Sequence, residues 1–202
     1  RPESRHIDLD TIVRTGRHIG TEAGWAERRH WIEPHIVESF AALEIRRQAT
    51  EETLGLLQPT RLLGLDITQV TDEEWTEEDM AKLLQDGLFD SEEVRSRPPL
   101  RKLPYDFHYR YECQTPTGLE QLRHKLTDWE VGRLYLRCED EYGEQWEAAI
   151  RQKLEVEFAQ KDLLFLMGTV HRFPGQWLIV GLVYPPKPEP GEGTQLSLEL
   201  KP

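Results

Sequence analysis

The sequence predicts an α+β fold: N-terminal helices followed by a mainly antiparallel sheet with two helices packed on it. Three observations predict it. Across residues 106–113, Phe107, Tyr109, Tyr111 and Cys113 alternate with Asp106, His108, Arg110 and Glu112, the period of a half-buried strand. Val131, Leu134, Tyr135 and Cys138 form one apolar helical stripe, and Trp146, Ile150, Leu154 and Phe158 form a second. Residues 163–173 and 176–184 are apolar runs joined by Pro174-Gly175, the pattern of a hairpin deep enough in a sheet to be apolar on both faces.

The remaining elements follow in order. Residues 1–20 are polar around Ile7, Leu9, Ile12 and Val13 and read as a short helix or an arm. Thr21 opens a helix that ends before Pro34, because the residue before proline leaves helical geometry readily. A second helix is predicted from Pro34 to Arg46, with proline in its first turn and Ile36, Val37, Phe40 and Leu43 facing inward. Trp25 and Trp31 are expected on the same core. Residues 53–59 read as a turn-prone apolar link and residues 61–70 as a strand. Thr71 and Glu74 have capping-box spacing before a helix closed by Gly87. Acidic residues crowd its first turn, where the helix dipole favours them. Residues 91–99 are a charged, proline-broken linker. After the strand at 106–113 comes a turn at Thr115-Pro116-Thr117-Gly118. Thr127 stands three residues before Glu130 and is expected to start the next helix. Gly168 and Gly181, inside the two hairpin runs, point to a bulge or a close backbone approach. The division is thus 1–90 mainly helical with one strand, 91–186 an α+β core with its hairpin, and 187–202 a tether with a terminal peptide.

Composition bounds the function. The chain has 202 residues and a formal net charge of −12, which argues against a surface that embraces a phosphate backbone all round. Local basic runs exist at Arg28-Arg29-His30 and across Arg95, Arg97, Arg101 and Lys102. Two cysteines make no disulfide framework. No signal peptide and no apolar run near 18 residues is present, so a soluble cytoplasmic protein without a membrane partner is expected.

Four sets of residues could carry chemistry. Arg28 and Arg29 beside Trp25 and Trp31, together with Arg101 and Lys102, could hold nucleic acid by charge and base stacking; solvated surface accounts for the same charges. Cys113, His124 and Cys138 could ligate zinc as two thiolates and an imidazole, although there is no Cys-x-x-Cys knuckle and a buried thiol packs like a small hydrophobe. Asp128 and Glu130, flanking Trp129, could bind magnesium as in a metal-dependent nuclease, given a further carboxylate such as Asp106, Glu112 or Asp162. They could equally charge and cap a helix start. No cofactor beyond zinc or magnesium is expected. Lastly, Gln195, Leu196, Leu198 and Leu200 alternate after the tether Pro185-Pro186-Lys187-Pro188-Glu189-Pro190-Gly191-Glu192-Gly193.

The segment Gln195-Leu196-Ser197-Leu198-Glu199-Leu200 resembles the short peptide by which bacterial replication and repair proteins dock on the sliding clamp. The resemblance implies a protein partner whose apolar pockets take the alternate leucines. The same alternation suits an edge strand of the chain's own sheet. The body, through RPES, TLGLLQPTRLL, HKLTDWE, DLLFLMGT and WLIVGLVYPP, resembles a family of uncharacterised bacterial proteins with no assigned activity. That resemblance implies a second cysteine between Cys113 and His124, and here none stands there. The expected function is that of a DNA-associated accessory or defence protein that acts by binding nucleic acid, a clamp or another protein. The alternative is a metal-dependent nuclease using Asp128 and Glu130.

Overall fold

The computed structural model describes residues 24–70, 102–170 and 173–185. The chain divides into two compact units, residues 1–34 and 35–202. In the first, helix α1 spans Gly24–Ile32. It ends ahead of Pro34, as the sequence predicts, and a single 3₁₀ turn follows over Glu33–His35. Trp31 is 62% exposed, so this tryptophan does not pack in a core.

The second unit is built on one seven-stranded sheet: β1 (Ile36–Val37), β2 (Leu54–Leu57), β3 (Arg61–Gln69), β4 (Tyr105–Thr115), β5 (Gly118–Leu126), β6 (Leu164–Val170) and β7 (Phe173–Val183). Their order is β1-β2-β6-β7-β5-β4-β3. All neighbours are antiparallel except β1–β2 and β5–β7. The protein is therefore α+β with a mostly antiparallel sheet. Among the described residues it also holds helices α2 (Phe40–Thr50), α3 (Trp129–Tyr142) and α4 (Trp146–Arg151).

Two expectations near the start of this unit are corrected. Ile36 and Val37 are not helical; they pair in parallel with Leu56 and Leu57. The helix starts later because Ser39 caps it, its hydroxyl accepting the Ala42 N–H at 3.1 Å, a donor otherwise left unpaired in the first turn. The link at 53–59 contains strand β2, antiparallel to β6.

The core lies on one face of the sheet. Phe107, Tyr109, Tyr111 and Cys113 of β4 are all buried there, matching their alternation. Leu65 of β3, Leu126 of β5, Met167 of β6 and Ile179 of β7 join them, with Val131, Tyr135 and Cys138 from α3. Helix α4 shows how one sequence pattern selects an unusual backbone. Trp146, Ile150, Leu154 and Phe158, in α4 and the turns that follow it, recur strictly every four positions, whereas an α-helix turns in 3.6, so the stripe would drift by about 40° per step. After Arg151 the chain widens into a π-helical stretch, Gln152–Glu157, and closes with a 3₁₀ turn, Phe158–Gln160. The wider turn absorbs the drift, and Ile150, Leu154 and Phe158 stay buried together. The buried Tyr109 hydroxyl donates to the Leu154 carbonyl at 2.9 Å.

The same helix covers the outer edge of β3. The Leu65 N–H donates to Glu155 Oε1 at 2.6 Å, and Arg151 donates to the Leu65 carbonyl at 2.7 Å. Two side chains thus complete the hydrogen bonds that a further strand would have made.

The β6–β7 hairpin forms, but Pro174-Gly175 is not its turn. Both residues lie inside β7, whose pairing with β6 jumps from Thr169↔Trp177 to Val170↔Phe173. Proline and glycine sit in a bulge, where proline's missing N–H costs the ladder nothing. A second register shift falls between Leu166 and Met167, beside Gly181. Gly168 is the close approach: a Cβ there would meet Val180 at 3.1 Å and Leu54 at 3.3 Å.

Candidate functional site

Helix α3 begins where β5 ends, and its cap is Asp128 rather than Thr127. Asp128 Oδ1 accepts the Glu130 N–H at 2.8 Å. Its Oδ2 accepts the Leu182 N–H of β7, also at 2.8 Å. Thr127 serves the sheet instead, its N–H and hydroxyl both donating to the Ile179 carbonyl. Both Asp128 oxygens are therefore taken by backbone donors. Among the described residues no three His, Cys, Asp or Glu side chains converge to hold a metal ion. Among the described residues, no further carboxylate joins Asp128 and Glu130 in the set that the magnesium alternative needs.

Beside this cap lies a cavity of about 480 Å³. Leu103, Tyr105, Phe107, Leu126, Trp129 and Leu136 give it apolar walls, and Asp106, Lys125 and Arg133 give it charge. Trp129 is 55% exposed. It borders a second, more polar groove that runs along α3 past Arg133 and Arg137. Trp129, Arg133 and Arg137 are spaced four apart, so they share one face of the helix. Both arginines are exposed.

The outer face of β3, β4 and β5 carries the second charged feature. Arg110 of β4 and Arg123 of β5 stand directly opposite each other. Asp66 of β3 bridges them, accepting from each guanidinium at 2.8 Å. These two cations, Arg123 first, hold the Asp66 carboxyl below its usual range. Lys125, two positions along β5, pairs with Asp106 at 2.7 Å. Arg61 and Gln121 both donate to the buried Glu112. His108, between these groups, has its Nδ1 buried without a partner, and burial lowers its pKa.

The thiol and imidazole trio is held by packing. Cys113 and Cys138 are free and buried. Burial pushes the Cys113 thiol up to about 12 and raises Cys138 as well, which opposes the thiolate a zinc ligand must be. His124 shares its Nδ1 with the Tyr111 hydroxyl at 2.8 Å and leans on Phe40, ring centroids 4.9 Å apart. Loss of solvent lowers its pKa to about 4. The three do not form a ligand set. Next to His124, the Trp177 indole donates to Glu44 of α2.

Of the residues expected to meet nucleic acid, Arg28 lies over the Trp25 ring at 5.2 Å and Arg29 sits 3.9 Å from Glu33, all within α1 and the turn after it. Lys102 is half-buried at the start of the described central segment. Arg101 and the terminal residues Gln195, Leu196, Leu198 and Leu200 lie outside the described residues, as do the helix expected at 71–87 and the linker at 91–99.

A family model described as Domain of unknown function (DUF8757) matches residues 36–201. The chain belongs to this family. No curated protein and no solved structure matches the chain. The family's domain begins at the first residue of β1, so it includes the sheet, the cavity and the Arg110–Asp66–Arg123 bridge. It also reaches the terminal leucines, whereas α1 with its arginines and tryptophans precedes it. No helix among the described residues is long and apolar enough to cross a membrane.

Sequence reasoning missed Arg110, Arg123, Arg133 and Arg137. The first two are thirteen residues apart and meet only through the β4–β5 register. The others carried a readable signal: a tryptophan and two arginines at four-residue spacing on a helix.

Proposed function

We propose that this protein is a DNA-associated accessory factor that works by binding, with the outer face of β3–β5 as its contact to nucleic acid. The observation that supports this most is the Arg110–Asp66–Arg123 bridge. Like charges directly across a strand pair repel, and a single carboxylate offsets only one of them. Both arginine side chains remain about half exposed, at 49% and 48%. A phosphodiester supplies the missing negative charge with oxygens suited to guanidinium donors. Lys125, paired with Asp106, lies on the same strand face.

The charge of −12 is unevenly spread along the sequence. Residues 71–100 carry ten acidic and three basic residues, so seven of the twelve excess negative charges belong to that segment. In this reading the terminal peptide 195–200 ties the protein to a replication clamp, as its resemblance implies. Nuclease chemistry at Asp128 lacks comparable support, since both its oxygens are engaged.

The test is binding of a labelled oligonucleotide over a range of salt. Replacing Arg110 and Arg123 by Gln should weaken binding at least tenfold. It should also flatten the salt dependence by about 1.4 in log–log slope for a single strand, the effect of two lost phosphate contacts. Undiminished binding by a folded double variant, or no binding by the natural protein, ends the proposal.

A further inference from the structure

Resting on that reading, we infer that the cavity beside Trp129 receives one unstacked nucleobase of a single strand, with Arg133 at its rim facing a flanking phosphate. The cavity lies within the usual range for small-ligand sites of about 300–1,000 Å³, at about 480 Å³. Its walls are mostly aromatic and aliphatic, the surface a base needs when it leaves its stack. Charge of both signs borders it: Asp106 is paired with Lys125 at 2.7 Å, and Glu130, Asp140 and Glu141 share the adjoining groove with Arg133 and Arg137. Asp128 has both oxygens committed to backbone N–H groups. Arg133 and Arg137 make no ion pair with a described residue, and they lie in line with Trp129 on α3. Lys125 joins the cavity to Arg123 on the outer face of β5, so a strand held at the Arg110–Arg123 pair is delivered to the opening. A paired base is stacked on both sides and cannot enter, so the occupant is single-stranded.

The full chain is titrated with three labelled probes of equal length: an oligothymidylate, the same phosphodiester made abasic throughout, and a duplex. The natural protein should bind the oligothymidylate about tenfold more tightly than the abasic strand, the scale of one stacked base, and more tightly than the duplex. Trp129→Ala should erase the difference between oligothymidylate and abasic strand while leaving abasic binding unchanged. Leu136→Trp, which fills the cavity and leaves Trp129 in place, should do the same. Equal affinity for base-bearing and abasic strands, a preference for duplex, or variants that weaken both strands alike would overturn the base pocket while leaving the outer face as a phosphate contact. Failure of all three probes to bind removes both readings together.

Discussion

The Asp128 carboxylate joins Leu182 of β7 to the first turn of α3, taking one N–H from each at 2.8 Å. It does so where the backbone ladder ends. Strand β5 pairs with β7 at Leu126↔Ile179, and Thr127 prolongs that contact through the Ile179 carbonyl. One residue later the chain turns into helix, and the carboxylate replaces the backbone acceptor that β7 has lost.

Replacing Asp128 by Ala removes a helix cap, worth about 1 kcal/mol. It also strands the part-buried Leu182 N–H, at about 1–3 kcal/mol. A loss of about 2–4 kcal/mol is expected in urea unfolding. Asp128→Asn keeps one acceptor and should lose about half as much. A change below about 0.5 kcal/mol for Ala would show that the two bonds do not contribute.

Burial beside Phe40 and Tyr111 lowers the His124 pKa from 6.5 to about 4. Between those values the unfolded chain binds the proton and the folded chain does not. Stability from this group is therefore complete above about pH 6.5 and falls as pH drops toward 4. The loss should reach on the order of 2–3 kcal/mol. Unfolding midpoints at pH 7 and pH 4.5 should separate clearly in the natural protein and less in His124→Gln. Equal separation in both would place the acid sensitivity elsewhere.

Gly64 has φ of +146°, and a Cβ there would lie 3.0 Å from the Arg110 guanidinium and 3.5 Å from Glu155 Oε1. Gly64→Ala should cost about 1–3 kcal/mol of strain. By displacing Arg110 it should also reduce oligonucleotide affinity. Thermal melting and titration of one preparation would check both; an unchanged melting temperature contradicts the strain.

Deleting residues 195–200 should abolish capture by a bacterial sliding clamp and leave the melting temperature nearly unchanged, by less than about 2 °C. A fall of many degrees would mean that the leucines complete the chain's own sheet.

Strand β4 was legible because it alternates cleanly and its inward residues are all aromatic or thiol. The four-residue repeat that begins in α4 was equally plain, although its meaning, a π-helical stretch, emerges only when the 3.6-residue turn is held against it. Strand β5 was hidden: its core-side positions include Glu120 and His124, which disguise the alternation. Strand β2 has four residues, one of them glycine, too few for a period. The bridge at Asp66 joins positions 44 and 57 residues away, and no local pattern encodes such a meeting. Asp128 was read as a cap, but the half of its work that reaches β7 depends on topology alone.

Arg151 and Glu155 grip Leu65 from a helix whose apolar side seals the molecule's interior. Loosening that helix would therefore strip the interior and unmask the sheet's border at one stroke. A partly opened molecule would present a ready seam for another copy, so its shelf life in concentrated solution should track the integrity of this short segment more closely than overall resistance to heat.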